Sequence, residues 1–255
     1  MFFRDKISKP LTMKPIGNTV NHTLRSMTLV LACVASLSAN ADPKTPGTHK
    51  GYSTIDMTTA GMPTDVKMIS VADIQKELQG KAPFAVGFDI DDTTLFSTPV
   101  FYRGQQEFSP NGYSYLSNQD FWDKANCGWD AFSMPKNIAK ELIAMHQERG
   151  DSIYFITGRT GSDCNFTTEY LKKAFDIKDM HDVIFAGSSR TEYTKTKYIK
   201  ENDIKLYYGD ADGDIISARD AGAEGIRVMR AANSSYKPIP KNGIYGERVL
   251  KDSQY

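Results

Sequence analysis

Long apolar runs are scarce in this 255-residue sequence, and the run nearest the amino terminus, Met27 to Leu37, spans only 11 residues. An α-helix needs about 20 apolar residues to cross a bilayer, so a permanent membrane anchor is disfavoured. An excess of charge of one sign is also missing, since 31 Lys and Arg balance 31 Asp and Glu. Without residues 1–41 the balance becomes 26 basic against 30 acidic residues, a formal charge of −4, and a nucleic-acid scaffold is disfavoured too. The Gly-x-x-x-x-Gly-Lys-Ser/Thr phosphate loop occurs nowhere. Calcium loops of the EF-hand type fail as well. The acidic stretch from Asp89 has Thr94 and Val100 where such a loop needs Gly and Glu, and the stretch from Asp210 has Ile215 and Ala221. Apolar content of 40% with 24% charge excludes disordered, collagen-like and multispanning classes and leaves a globular chain with one core as the default.

What is present begins with Arg4, Lys6, Lys9, Lys14 and Arg25 ahead of the apolar run, followed by Ala39-Asn40-Ala41. That order reads as a signal peptide, residues 1–41, cleaved after Ala41 on secretion. Cys33 lies inside the run, but Val30-Leu31-Ala32 is a poor approach to a lipidation site. Residues 42–67, rich in Thr, Pro, Gly and Ser without periodicity, read as an extended or mobile arm. From residue 68 to 255 the pattern is that of one α/β domain. Ser70 stands as the N-cap of a short helix carrying Val71, Ile74 and Leu78. Strand-like runs follow at Phe84–Ile90, Ile153–Ile156, Val183–Phe185, Leu206–Tyr208 and Gly225–Val228. They alternate with helical patterns at Pro135–Glu148, Asn165–Phe175, Lys195–Glu201 and Asp212–Ala221, with Pro135 expected in a first turn. This predicts a doubly wound parallel sheet. One connection, about residues 95–134, is too long for an ordinary loop and crowded with aromatics, so it reads as an inserted cap with a small core of its own.

Three expected strand ends carry chemistry. Phe88-Asp89-Ile90-Asp91-Asp92-Thr93-Thr94 places carboxylates at the carboxyl edge of the sheet, where open α/β sheets bind ligands. Asp89 and Asp91, two residues apart, can address one side of that edge, where a divalent cation offsets their repulsion. Phe155-Ile156-Thr157-Gly158-Arg159 supplies a hydroxyl, a flexible amide and a guanidinium, donors suited to phosphate oxygens. Asp210-Ala211-Asp212-Gly213-Asp214 ends a further strand, and Thr194-Lys195 opens the helix before it. Lys195 is the cation placed to offset phosphoryl charge, with Lys197 and Lys200 as neighbouring alternatives.

In order and spacing Asp89-x-Asp91, Thr157, Lys195 and Asp210 with Asp214 resemble the haloacid dehalogenase superfamily. The strings FDIDDTTLFSTP, TGR, YYGDADGDI and ANSSYKPIP are similar to those of the class B nonspecific acid phosphatases of the bacterial periplasm, over roughly residues 65 to 255. The resemblance implies a haloacid dehalogenase-like fold and hydrolysis of small phosphomonoesters such as nucleotides, aryl and sugar phosphates, with phosphotransfer to alcohols as a side reaction. It implies that Asp89 is phosphorylated and that Asp91 first protonates the leaving oxygen and then activates water. It implies Mg2+ on the Asp89 carboxylate, the Asp91 main-chain carbonyl and Asp210, with Asp214 holding a bound water. Thr157, Gly158 and Lys195 are implied to hold phosphate oxygens, Arg159 to bond substrate, and Phe101, Leu116, Trp122 and Tyr236 to flank the leaving group. A homotetramer without a membrane anchor is the implied assembly.

Other readings compete. A dehalogenase needs neither magnesium nor an acid two residues after the nucleophile, so Asp91 argues against it. A narrow-specificity sugar phosphatase and a non-catalytic periplasmic phosphate-binding protein of the same fold are the remaining alternatives. Cys127 and Cys164 are the cysteines left beyond the signal segment, and both segments are expected to overhang one edge of the sheet. A disulfide and two separate buried thiols are both open readings.

Overall fold

The computed structural model describes residues 45–255, so the expected signal segment and its cleavage site lie outside the described residues. Among the described residues no helix is long and apolar enough to cross a membrane.

The short apolar runs become parallel strands. These are β1 (Lys67–Ile69), β2 (Ala85–Phe88), β5 (Ser152–Thr157), β6 (Ile184–Phe185), β7 (Ile204–Gly209), β8 (Glu224–Arg227) and β9 (Arg248–Leu250), in the spatial order β1-β9-β8-β7-β2-β5-β6. Strand β2 is central. The chain runs outward through β5 and β6 on one side and returns through β7 on the other, so the switch point that favours ligand binding lies beside β2. Phe88 pairs in register with Phe155 and with Tyr208, which brings the residues that follow these three strands to one edge. Between Ala85 and Val86 the β7 partner jumps from Ile204 to Leu206. This bulge at Lys205 resets the alternation, so Leu206 and Tyr208 face one core while Ile204 and Tyr207 face the other.

Helices α2 (Val71–Leu78), α5 (Asn137–Arg149), α6 (Phe166–Ala174), α7 (Lys195–Glu201) and α8 (Asp212–Asp220) cover the sheet. Ser70 and Asp73 cap α2 reciprocally. Gly150, in the left-handed region at φ 77°, ends α5. The larger core packs Val86, Phe88, Ile90, Phe155 and Tyr208 against Ile74, Leu142, Ile143 and Leu171, and each such side chain contributes roughly 1.5–3 kcal/mol of burial.

Two expectations need correction. Pro135 does not open a helix. It lies in β4 (Met134–Pro135), paired antiparallel with β3 (Leu95–Phe96), and α5 starts two residues later. The arm is not extended throughout: after an irregular stretch, α1 (Thr54–Ala60) forms within it under a Ser53–Asp56 capping box. Met57 on that helix is buried against Val66, Met229 and Val249, and Tyr52 bridges to Asn242. A seven-residue helix with one apolar anchor is too short to show periodicity in sequence.

The long connection leaves through β3 and returns through β4, and Lys136 closes the neck by donating its N–H to the Thr94 carbonyl at 2.9 Å. Between the strands lie α3 (Thr98–Phe108), α4 (Gln119–Asn126) and two 3-10 turns, Ser114–Ser117 and Trp129–Phe132. Val100, Phe101, Tyr115, Phe121, Trp122 and Ala125 form a separate buried cluster. Gly104 on α3 lets the Phe121 ring lie so close that a Cβ there would be 2.3 Å from it.

Candidate active site

Asp89 follows β2 directly and is 5% exposed. Its Oδ1 accepts a hydrogen bond from Lys195 Nζ at 2.5 Å, and the same ammonium donates to Asp214 Oδ1 at 2.6 Å. Lys195 is therefore the lysine of the site. Lys197 lies on the surface beside Glu201, and Lys200 is exposed. Asp210, following β7, accepts from Arg230 Nε at 2.5 Å. The Thr93 hydroxyl sits between the two strand ends, 3.0 Å from Asp89 Oδ2 and 3.1 Å from Asp210 Oδ1. Asp214 occupies the first turn of α8, where it accepts the Ala211 N–H at 3.0 Å and where the helix dipole favours an anion. Gly209 makes this possible, because a Cβ at that position would lie 2.3 Å from Asp214 Cβ.

Carboxylate oxygens of Asp89, Asp210 and Asp214 lie within 4.8 Å of one another, all buried. Three carboxylates here face two cations, Lys195 and Arg230. Burial pushes the Asp89 carboxyl well above its ordinary range; Lys195 opposes this, while Asp214, Asp210 and Asp91 add to it. A hard divalent ion fits this all-oxygen donor set and its unbalanced charge, and Mg2+ is such an ion. The carboxylate of Asp91 is not in the cluster. It takes two bonds from Arg159, at 2.8 Å from Nε and 2.7 Å from Nη2. Burial works against the ionised form of Asp91, but the Arg159 guanidinium outweighs it and holds the carboxyl below the usual range.

Arg159 itself is 1% exposed, and its remaining donors go to Asp130 and Asn126. All five N–H groups of the guanidinium are thus used inside the protein, and none is left for the substrate contact expected of it. Thr157 is buried at the end of β5 with its Oγ1 accepting the Arg159 N–H at 3.2 Å, and Gly158 is half-buried beside it. Phe101 and Trp122 are buried in the aromatic cluster of the inserted segment, where the Trp122 indole N–H donates to the Leu116 carbonyl at 2.9 Å. Leu116 and Tyr236 are half-buried and pack against that cluster, with the Tyr236 ring 5.7 Å from Phe101. Arg230 lies over Tyr236 at 4.5 Å, so one guanidinium joins the aromatic cluster to Asp210.

Sequence reasoning missed Thr93, Arg230, Asp130, Asn126 and Asp92. Asp92 adopts a left-handed φ of 58° and is buried, its Oδ2 accepting from Ser234 at 2.6 Å. Burial, opposed by Arg230, pushes its pKa up to about 6. Of these, only Asp92 and Thr93 lie within a motif, the string FDIDDTTLFSTP, in which neither has an expected role of its own. The structure also pairs Cys127, just after α4, with Cys164, just before α6, at a Cα separation of 5.5 Å.

Comparison with known proteins adds an independent finding. Residues 23–239 match the family model of the HAD superfamily, subfamily IIIB (acid phosphatase). The chain is 97% identical over 236 residues to a class B acid phosphatase of Marinomonas sp. (strain MWYL1), covering 92% of this chain and 100% of that protein. It is 49% identical over 238 residues to the class B acid phosphatase of Haemophilus parainfluenzae, covering 92% and 100%. Over 229 residues it is 50% identical to that of Aggregatibacter actinomycetemcomitans serotype C, covering 89% and 96%.

Proposed function

Because this chain belongs to the class B acid phosphatases, subfamily IIIB of the HAD superfamily, we propose that it hydrolyses phosphomonoesters through an aspartyl-phosphate on Asp89. One observation carries this reading: register pairing places Asp89, Thr157 and Asp210 at adjacent strand ends, with Lys195 2.5 Å from the Asp89 carboxylate. Asp89 attacks phosphorus, an O–P bond forms, and the ester P–O bond breaks. The minor protonated form of Asp91, scarce because, against the effect of burial, Arg159 holds its pKa down, delivers its proton to the departing oxygen, and the resulting carboxylate takes one from the water that cleaves the acyl phosphate. Lys195, the Thr157 hydroxyl and the Gly158 N–H hold the phosphate oxygens. Asp89, Asp210, Asp214 and the Asp91 carbonyl would hold Mg2+, which would supply positive charge against the carboxylates and the phosphate.

Leu116 and Tyr236 have surface left to meet an aromatic or sugar leaving group, with Phe101 and Trp122 packed behind them. Nucleotides, aryl phosphates and sugar phosphates are the proposed substrates, and alcohols are proposed to compete with water for the phosphoryl group. Export to the periplasm through residues 1–41 and a homotetrameric assembly, which the family resemblance supports, complete the reading.

The test is acid quenching during turnover of a labelled phosphomonoester. Protein-bound phosphate is expected in the wild type and none in a folded Asp89→Asn variant, whose turnover is abolished; wild-type activity in that variant would remove Asp89 from its role. Dialysis against a chelator should abolish activity and added Mg2+ restore it, and full activity after exhaustive chelation would reject the metal assignment.

A further inference from the structure

Arg159 is a planar fork with carboxylates on two of its edges. Asp91 accepts from Nε and Nη2, and Asp130 accepts from Nη2 at 2.8 Å and Nη1 at 2.9 Å. Asn126 takes the last N–H at 3.3 Å. Asp130 comes from the 3-10 turn Trp129–Phe132 of the inserted segment and is 2% exposed. The Thr167 hydroxyl on α6 tethers its Oδ2 at 2.7 Å. A bidentate pair fixes both partners in one plane, so the orientation of the guanidinium, and through it the Asp91 carboxylate, follows from where Asp130 stands.

We infer that Asp130 is a positioning residue for catalysis, holding Asp91 in line with the leaving oxygen through Arg159. The inference rests on the reading of Asp91 as the group that protonates that oxygen. Asn at position 130 keeps the size of Asp130 but turns an NH2 toward a guanidinium N–H. One bond is lost to a donor–donor clash, and the fork must rotate. A displacement of about 1 Å in a reacting group can cost about 100-fold in rate. The cost falls on the step that needs Asp91, because the guanidinium bonds neither Asp89 nor Lys195 and Thr157 meets only the Arg159 main-chain N–H.

Steady-state kinetics on an alkyl phosphate and on nitrophenyl phosphate test this in Asp130→Asn, in Asp91→Asn and in the double variant. Asp130→Asn is expected to lower kcat on the alkyl ester by roughly 10- to 100-fold with KM nearly unchanged, and to lower it far less on nitrophenyl phosphate, whose leaving group departs unprotonated. In the Asp91→Asn background it should cost nothing further. Thr167→Val, which removes only the tether, should give the same pattern at smaller size and carries the test if Asp130→Asn does not fold. Equal losses on both esters, or losses that multiply in the double variant, would overturn the inference. If Asp91→Asn itself fails to separate the two esters, the assignment of Asp91 fails instead.

Discussion

Removing the Cys127–Cys164 bridge is a perturbation whose size follows from the chain. The cysteines are 37 positions apart, so the bond closes a loop of 38 residues counting both ends. The loop-entropy relation then gives about 3.9 kcal/mol of lost restriction on the unfolded chain. At about 2–4 °C per kcal/mol for a domain of this size, Cys127→Ala with Cys164→Ala should melt roughly 8–16 °C below the wild type. Little is lost on the folded side, because other ties hold the same segments together. Asn126 Nδ2 donates to the Thr160 carbonyl at 2.9 Å and to Ser162 Oγ at 3.0 Å, and Gln119 Nε2 donates to the Gly161 carbonyl at 2.9 Å. Thermal melts followed by circular dichroism, paired with kcat at about 25 °C, are the assay. A double variant melting within about 2 °C of wild type, or one that keeps its melting temperature and loses turnover, would refute the argument.

Two further outcomes are expected. Gly209→Ala should displace Asp214, since the new Cβ would lie 2.4 Å from its Cγ, and so weaken Mg2+ binding by about 10- to 100-fold as read by titration of activity against Mg2+; an unchanged midpoint would count against Asp214 as a metal-site residue. Asp151 is buried, which raises its pKa, but bonds from His146, the Phe84 N–H and Arg149 more than offset this, so its folded pKa is below the ordinary 3.8. A lowered pKa gives stability that is present above pH 3.8 and lost as pH falls through the folded value, so the gap in urea midpoint between wild type and Asp151→Asn should narrow below pH 3.8; a gap constant to the most acid conditions the fold survives would contradict it.

Much of the fold could be read in the sequence because its main signals are local. The five buried strand runs and the Ser70 cap need only neighbouring residues to be recognised, and each expected run contains strand in the structure. Strands β1 and β9 have three residues each and exist through pairing, β1 at the sheet edge with β9 and β9 with β1 and β8, which no local pattern announces. The acidic part of the site was equally accessible, since Asp89 and Asp210 sit at or just beyond the end of a strand run and Asp214 belongs to the acidic string that follows Asp210. Arg159 was a different case. Its type and place suggested a ligand to phosphate, but its direction is set by Asp130, 29 positions earlier and in an insertion with no motif of its own. Arg230 was hidden similarly, because its partner Asp210 lies 20 positions away across the end of the sheet.

The inserted segment is bound to the loop after β5 by two kinds of tie, and these act on different states of the chain. The disulfide restricts the unfolded ensemble, so its loss appears as lower stability while the folded geometry at Arg159 is kept by Asn126 and Asp130. The Asp130–Arg159–Asp91 bridge exists only in the folded protein, and there it connects the insertion to Asp91, the proposed acid. Stability and turnover should therefore separate cleanly between neighbouring positions. Changes at Cys127 move the melting temperature at nearly constant kcat, whereas the Asp130→Asn change moves kcat on poor leaving groups whatever it does to melting. An insertion that merely covered the site would couple these two readouts at both positions, because loosening it would admit water and lower turnover on every ester alike.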